Sequence, residues 1–564
     1  MDFQPFNQTP PSLGNQFDDD RPLKNLLRRL LPAEVYSAIE PELRELGELS
    51  GGELHQDMMR ERLLEPELTQ WSPWGERVDE IEVTPLWKKA EALAARYGVV
   101  AAGYEDRFGE FARVHQFALV HLFAPSTDVY SCPLAMTDGA AKTLLSSGNQ
   151  ALIDRAFPRL TSRDPATFWT SGQWMTESTG GSDVGRSETI AVQEEGARYR
   201  LFGRKWFTSA TTSQMTLTLG RPEGNGPGGR GLALFYVELR DQGGRLQNIE
   251  INRLKDKLGT RKVPTAELML RGTPAELVTE PKDGIRNISP MLNITRTWNT
   301  VSAVSFMRRG IALAQDYAKR RVAFSAPLSE KPLHAETLAG LVAEYEAALV
   351  LAFEVIATIG RIERDKTEAN DESLLRLLTP LAKLVTGKQA VSVVTEAIEA
   401  FGGAGYIEDT GLPTLLRDTH VLPIWEGTTN VLSLDVIKTL SREPALGAQL
   451  LERFDERTAA LERDDMKRLA GLARASIEKA LAWAKDRSMN APLEFEAGAR
   501  HFSLTLGRSL ALGLLTAQAE YSASQLGDDL SLIAAERFAL ERFDFIRETP
   551  VKASLALAND SRNG

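Results

Sequence analysis

The hydrophobic period of this chain switches near residue 187 and switches back near residue 286, and no other feature limits its fold as tightly. Before the first switch, apolar residues return at three- and four-residue steps. LKNLLRRLLPAEVYSAIEPELRELGELS, PLWKKAEALAARYGVV and FARVHQFALVHLFAPS each carry a stripe along one helix face, so the pattern from about 21 to 165 is helical. TIAVQEEGARYRLFGRKWFTS, MTLTLGR, LALFYVEL, IEINRL and AELMLRG are then short β-branched or aromatic runs, punctuated by Gly, Pro, Asn and Asp. No helical pattern separates them, and parallel strands need long crossovers, so an antiparallel sandwich or barrel is expected. Helical periodicity resumes after residue 286 and runs to the end of the sequence. Isolated helices of this length are marginal in water, which predicts bundles. The fold class is therefore α+β and multidomain. We expect a loose arm and N-terminal helical domain over 1–172, an antiparallel β domain over 173–285, a helical bundle over 286–440 and an additional C-terminal helical domain over 441–564.

Composition narrows the function. A net charge of -11 over 564 residues argues against a protein wrapped in nucleic acid. One cysteine forms no internal disulfide, and with six scattered histidines it makes a poor zinc site, so no metal is expected. His115 and His121 lie six residues apart, not at the four-residue step of a zinc helix. Cys132 reads as a small buried hydrophobe. The opening MDFQPFNQTPPSLGNQFDDDRP has neither the basic nor the apolar region of a secretory signal, and no run reaches the ~18 apolar residues of a membrane span. A cytoplasmic protein is the expectation. Gly224–Gly229 satisfies G-x-G-x-x-G, but a strand-like run follows it where a dinucleotide fold needs a helix, so it reads as an exposed hairpin loop.

Three segments carry chemistry. WMTESTGGSDVG, 174–185, offers the hydroxyls of Thr176, Ser178, Thr179 and Ser182, while Gly180 and Gly181 permit close backbone approach. That set suits a phosphate-bearing cofactor held without a Rossmann cleft, and it equally suits a polar turn. GRKWFTSATTS, 203–213, tips the balance toward the ligand: Trp206 supplies a flat apolar face, and Thr208 and Ser209 supply short hydrogen bonds. FGGAGYIEDTGLPTLLRDTHVLPIWEGTTN, 401–430, sets Glu426 beside Pro423, Ile424 and Trp425. Partial desolvation there raises a carboxyl pKa and its value as a base. Residue types alone leave Glu426 open between a capping or ion-pair role and a catalytic one.

In that order, and with KDKLGTR between them, these segments make residues 85–440 resemble the acyl-CoA dehydrogenase family. The resemblance implies an FAD cofactor. Thr176 and Ser182 resemble the family's flavin and pyrophosphate hydrogen-bonders, and Met175 and Thr428 also fall at cofactor-binding positions. Trp206 and Thr208 resemble the pair around the isoalloxazine. Arg321 resembles the arginine that reaches FAD of a neighbouring subunit, with Phe324 nearby, and Gly402 and Gly403 resemble glycines passing a partner's cofactor. Glu426 matches the base of the majority branch. A minority branch sets its base just before an arginine that corresponds to Arg296, where this chain has Thr295. Arg296 and Trp425 are placed on the substrate side.

The activity implied is α,β-dehydrogenation of a fatty acyl-CoA thioester, with Glu426 removing the α proton and flavin N5 accepting the β hydride. A homotetramer (a dimer of dimers) and an electron-transfer flavoprotein as electron acceptor are also implied. The long N-terminal region and the 124 residues after Leu440 resemble the AidB-like subfamily, linked to the adaptive response and to DNA protection. Residues 441–564 hold 17 basic and 19 acidic residues, a net charge of -2, which supports DNA binding only weakly. The basic face of DDMKRLAGLARASIEK is flanked by acids, and the tail reads more readily as shaping the acyl entrance or the oligomer. The alternative function is a low-turnover flavoprotein that binds acyl-CoA or DNA in a sensing or alkylation-protection role.

Overall fold

A computed structural model describes residues 5–559; residues 1–4 of the expected arm and 560–564 of the C-terminal stretch lie outside the described residues. The chain opens with α1 (Arg21–Leu30), α2 (Ala33–Gly51) and α3 (Glu53–Arg60), then strands β1 (Glu67–Trp71) and β2 (Arg77–Glu82). Helices α4 (Pro85–Arg96), α5 (Ala112–Phe123), α6 (Ser131–Ser147) and α7 (Gln150–Leu160) follow. The strand region holds β3 (Ser171–Trp174), β4 (Ile190–Glu195), β5 (Arg198–Thr208), β6 (Met215–Pro222), β7 (Ala233–Glu238), β8 (Ile249–Leu254) and β9 (Ala266–Leu277). Next come α8 (Gly284–Asn287), α9 (Ser289–Arg320), the two-residue strands β10 (Val322–Ala323) and β11 (Ala326–Pro327), and α10 (Pro332–Glu363). The rest is helical: α11 (Asp371–Glu399), α12 (Leu412–Thr419), α13 (Thr429–Arg442), α14 (Leu446–Thr458), α15 (Asp464–Asn490), α16 (Pro492–Leu526), α17 (Leu530–Leu540) and α18 (Val551–Ala558). An N-terminal helical part, a middle β-sheet and a helical bundle with further C-terminal helices thus succeed one another.

Helix starts follow local chemistry. Asp20 caps α1 by accepting from Leu23 N at 3.2 Å, Thr84 caps α4 through Trp87 N at 3.3 Å, and Asn149 caps α7 through Leu152 N at 3.3 Å. The expected loose arm is anchored along its described residues, with Ser12 N donating to Asp316 at 2.8 Å. Phe17 and Asp20 are wholly buried, and Asp20 also accepts from the Tyr345 hydroxyl at 2.7 Å, so residues 14–20 are packed structure.

The chain forms two compact units. One comprises Leu49–Arg107 and His115–Asn299; the other comprises Met1–Glu48, Phe108–Val114 and Thr300–Gly564. In the first, β6, β4, β5, β9 and β7 pair in succession, and β7 pairs back onto β6, so the sheet closes on itself with β3 and β8 added at its flanks. Trp174, Leu201, Phe235, Val237, Ile251 and Leu268 fill its core. The ladders are antiparallel except at β6, which runs parallel to β3 and β4. The β4–β5 hairpin serves as the crossover that usually requires a helix. The helical expectation for 21–165 fails at 67–82, where a Ser-Pro-Trp-Gly turn folds β1 against β2. Asp79 accepts Ile251 N at 2.9 Å, which fastens this hairpin to β8.

In the second unit, α16 is buried along most of its length and packs on α10, α11, α13, α14, α15 and α17. Glycines make the approach close: a Cβ at Gly507 would lie 2.5 Å from Val385, and one at Gly513 would lie 2.1 Å from Phe454. The additional C-terminal helices therefore share one core with the bundle. Charge pairs reinforce it, with Asp371 accepting from Arg361 at 2.9 Å and from Arg453 at 2.9 Å. Among the described residues no helix is long and apolar enough to cross a membrane.

Candidate active site

In the sheet-bearing unit, the 174–189 loop and β5 lie side by side because Trp206 N donates to the Thr176 carbonyl at 3.0 Å. Two residues of β5, Trp206 and Phe207, face one of β9, Glu267, at this point, since Lys205 pairs with Leu268 but Thr208 already pairs with Ala266. Such a bulge re-aims a side chain, here at Trp206. Lys255 Nζ stands 3.4 Å from the centre of the Trp206 ring, and the Arg204 guanidinium stands 5.0 Å from it. Thr208 is buried, and its hydroxyl donates to the Ala266 carbonyl at 2.7 Å. Met175 is buried, Thr176 is half-buried, and Ser182 is exposed. Gly181 fits against Thr176, whose side chain a Cβ would meet at 3.0 Å. Among the described residues, nothing accepts from the amides of Gly181, Ser182 and Asp183.

Beneath this loop, Glu177 gathers donors. It accepts Glu188 N at 2.6 Å, Thr189 N at 3.2 Å, the Thr189 hydroxyl at 2.6 Å and Lys205 Nζ at 2.7 Å. Burial pushes its carboxyl up, but Lys205, Thr189 and the Glu188 amide outweigh burial and hold it below the usual carboxylate value. Sequence reasoning quoted both residues inside their motifs and gave neither a role. The signal was there in two ionisable residues flanking the ligand candidates Thr176 and Trp206. KDKLGTR is an internal staple: Lys257 donates to the carbonyls of Thr260 at 2.6 Å and Val263 at 2.8 Å. Arg296, on α9, belongs to this unit and is half-buried, and its neighbour Thr295 is buried.

In the helical unit, Glu426 is half-buried on a turn between α12 and α13 and has φ +57°. A left-handed non-glycine residue stores strain that its surroundings must hold. Lys383, fully buried on α11, does so by donating to the Gly427 carbonyl at 2.6 Å. One turn further along α11, Gly387 lets the chain at Leu422 pass, since a Cβ would come within 3.3 Å of that backbone. Thr428 then caps α13 through Val431 N at 3.4 Å. Trp425 is half-buried and Ile424 points outward. Sequence reasoning missed Lys383 and Gly387, whose four-residue spacing puts both on one helix face.

Elsewhere in this unit, Arg321 donates to the Gln8 side chain at 3.3 Å and lies 5.7 Å from the Phe6 ring centre. Phe324 is 94% exposed at φ +50°. Gly402, at φ +59°, and Gly403 are exposed, and a Cβ at either would meet nothing within 4 Å. Among the described residues, no group of three or more His, Cys, Asp or Glu is placed to hold a metal.

A model of the acyl-CoA dehydrogenase middle domain matches residues 172–273, and one of the acyl-CoA dehydrogenase C-terminal domain matches 282–441. Acyl-CoA dehydrogenase family member 11 of Caenorhabditis elegans is 41% identical over 576 residues, covering 99% of this chain and 93% of the relative. The chain belongs to the acyl-CoA dehydrogenase family. A model of the adaptive response protein AidB N-terminal domain matches residues 7–165, so this family member has an AidB-like N-terminal part. The putative acyl-CoA dehydrogenase AidB of Escherichia coli is 32% identical over 399 residues, covering 69% of this chain and 72% of the relative. The crystal structure of Caenorhabditis elegans ACDH-11 in complex with C11-CoA aligns with a TM-score of 0.94 at 40% identity, covering 100% of this chain and 98% of that one. The chain has the FAD-dependent acyl-CoA dehydrogenase fold, and FAD is its cofactor. The residues present fit that group: three uncommitted amides beside a serine suit a pyrophosphate, and Trp206 carries a broad apolar ring for a planar one.

Proposed function

We propose that this chain dehydrogenates a medium-length acyl-CoA between the α and β carbons, with Glu426 as the base. The observation that carries the reading is the strained Glu426 turn, fixed from behind by the buried ammonium of Lys383. A carboxylate held this way loses little freedom when it meets an α proton. That proton is weakly acidic, so the thioester carbonyl must be polarised by hydrogen bonds with bulk water excluded. Thr176, Ser182 and the Gly181–Asp183 amides would hold the cofactor's polar groups, Trp206 would offer its planar ring an apolar face, and Met175 would contribute apolar surface, with Thr208 buttressing the bulge. FAD, when bound, supplies the two-electron acceptor for the β hydride. Arg296 and Trp425 border the acyl-CoA, and Arg321, Phe324, Gly402, Gly403 and Thr428 serve the cofactor, in part that of a partner subunit in a homotetramer. The medium chain length is supported by the C11-CoA complex of the nematode relative. An electron-transfer flavoprotein then removes the electrons, in the cytoplasm.

DNA protection is the weaker reading. Along α15, Arg474 pairs with Asp455 at 2.8 Å, and Lys479 pairs with Asp544 at 2.6 Å, so half of the basic residues of the 464–479 segment are already spent on neighbouring acids. The test is anaerobic addition of acyl-CoAs of graded length to the purified yellow protein. Bleaching of oxidised flavin by medium chains supports the proposal. Spectral perturbation without bleaching by any chain overturns it in favour of a low-turnover acyl-CoA-binding flavoprotein.

A further inference from the structure

We propose that the Glu177–Lys205 ion pair is a positioning device that forms the cofactor's seat before the cofactor arrives, locking residues 178–187 and Trp206 into one arrangement. The proposal rests on the flavin reading above and deepens it.

The pair joins the loop to β5 from the buried side, in addition to the Trp206 N–Thr176 carbonyl bond. Glu177 is the residue after Thr176, and Lys205 is the residue before Trp206. Through its two oxygens, Glu177 reaches across the loop to the amides of Glu188 and Thr189, so both ends of the 178–187 segment are held at one carboxylate. Through Lys205 the same carboxylate is fixed to β5, and Lys205 also donates to the Leu219 carbonyl on β6 at 2.8 Å. The Thr189 hydroxyl completes the junction, and Thr189 in turn lies so near β5 that a Cβ at Gly203 would stand 2.5 Å from its Oγ1.

The chemistry of the junction argues for positioning over simple stabilisation. The side chains are 0% and 2% exposed, so both charges have been taken out of water. A buried ion pair seldom outperforms well-packed apolar residues as a source of stability. What it adds is direction: a carboxylate has two acceptor oxygens with definite approach geometry, and an ammonium has three donors. Here those directions are spent on the two loop ends, the bulged strand and its neighbour β6. The Gly181, Ser182 and Asp183 amides, which have no acceptor among the described residues, are thereby presented together instead of sampling separate orientations. Preorganisation of this kind reduces the ordering cost of binding.

The experiment compares the full chain with the double variant Glu177→Gln/Lys205→Met and with Phe235→Leu, a core substitution on β7 that leaves the ion pair's hydrogen-bonding groups in place and is chosen to give a comparable loss in melting temperature. Apoproteins are titrated with FAD by flavin fluorescence, and hydrogen exchange of the Glu188 and Thr189 amides is followed without FAD. The double variant is expected to remain folded, to bind FAD about tenfold or more weakly, and to exchange both amides faster, while Phe235→Leu keeps affinity near that of the parent. The visible circular dichroism of the bound flavin is expected to change only in the double variant. Equal affinities in the parent and the double variant overturn the proposal, as does an equal loss in Phe235→Leu. If the parent binds no FAD, the flavin reading fails on its own; slow exchange at Glu188 and Thr189 in that apoprotein would still show that the loop is locked.

Discussion

Each compact unit buries a carboxylate against a basic side chain, and the two carboxyls are driven in opposite directions. In the sheet-bearing unit, Glu177 lies below its usual value because Lys205, the Thr189 hydroxyl and loop amides outweigh the desolvation that would raise it. In the helical unit, Glu346 on α10 is pushed up to about 7, because burial outweighs the attraction of Arg21 and the hydrogen bond from Ser531. Asp528, bonded to the same Arg21 at 2.7 Å, competes for that one cation. The difference teaches that burial does not set the state of a buried acid by itself; the number of donors aimed at it does. It also separates two styles of construction. The sheet-bearing unit fixes its loop with a fully supplied junction, whereas the helical unit fixes its Glu426 turn with strain and a lysine contact on the adjoining carbonyl.

Four substitutions test that contrast. Glu426→Gln keeps the volume and removes the base, so flavin bleaching by acyl-CoA is expected to slow by about 10²- to 10⁴-fold while FAD stays bound. Unchanged bleaching in stopped-flow traces would remove Glu426 from the mechanism. Glu346→Gln addresses the under-supplied carboxyl. Its folded pKa stands above the ordinary 4.5, so its contribution is complete below pH 4.5 and is lost as pH rises through about 7. Relative to the glutamine variant, the parent is expected to lose on the order of 3 kcal/mol between pH 4.5 and 8, read from unfolding midpoints. For Glu177 the sign reverses: its stabilisation holds above the ordinary carboxylate range and disappears as pH falls.

Lys383→Met leaves the Gly427 carbonyl without that donor. Bleaching is expected to slow about 10- to 100-fold through misplacement of Glu426, with FAD affinity unchanged. A variant that instead loses FAD and keeps its bleaching rate would show that the lysine serves the cofactor and not the base. Thr428→Ala removes the cap of α13 and is expected to cost about 1 kcal/mol in denaturant unfolding of the apoprotein, the smallest effect of the four.

The candidate site could be proposed from the sequence because its chemistry is concentrated in short segments. Thr176, Ser182, Trp206 and Glu426 each stand among glycines, hydroxyls or aromatics whose combination has few other uses, and the change of period at 187 and 286 announced the order helix, sheet, helix. The hairpin at 67–82 was missed because its runs are short and too polar to break the surrounding helical pattern. Lys205 and Glu177 were visible as residue types but not as a pair. They are 28 positions apart and meet only because the sheet closes and β5 lies against the loop. Lys383 and Gly387 likewise acquire meaning from what rests on their face of α11, the strained turn at Leu422–Gly427. The sequence by itself determined which residues offer hydroxyls, a flat ring and a carboxylate, because those are properties of side chains and their near neighbours. Only the tertiary structure decided which of them are held, and by what, because each depends on partners brought together by register and packing across distant stretches of chain.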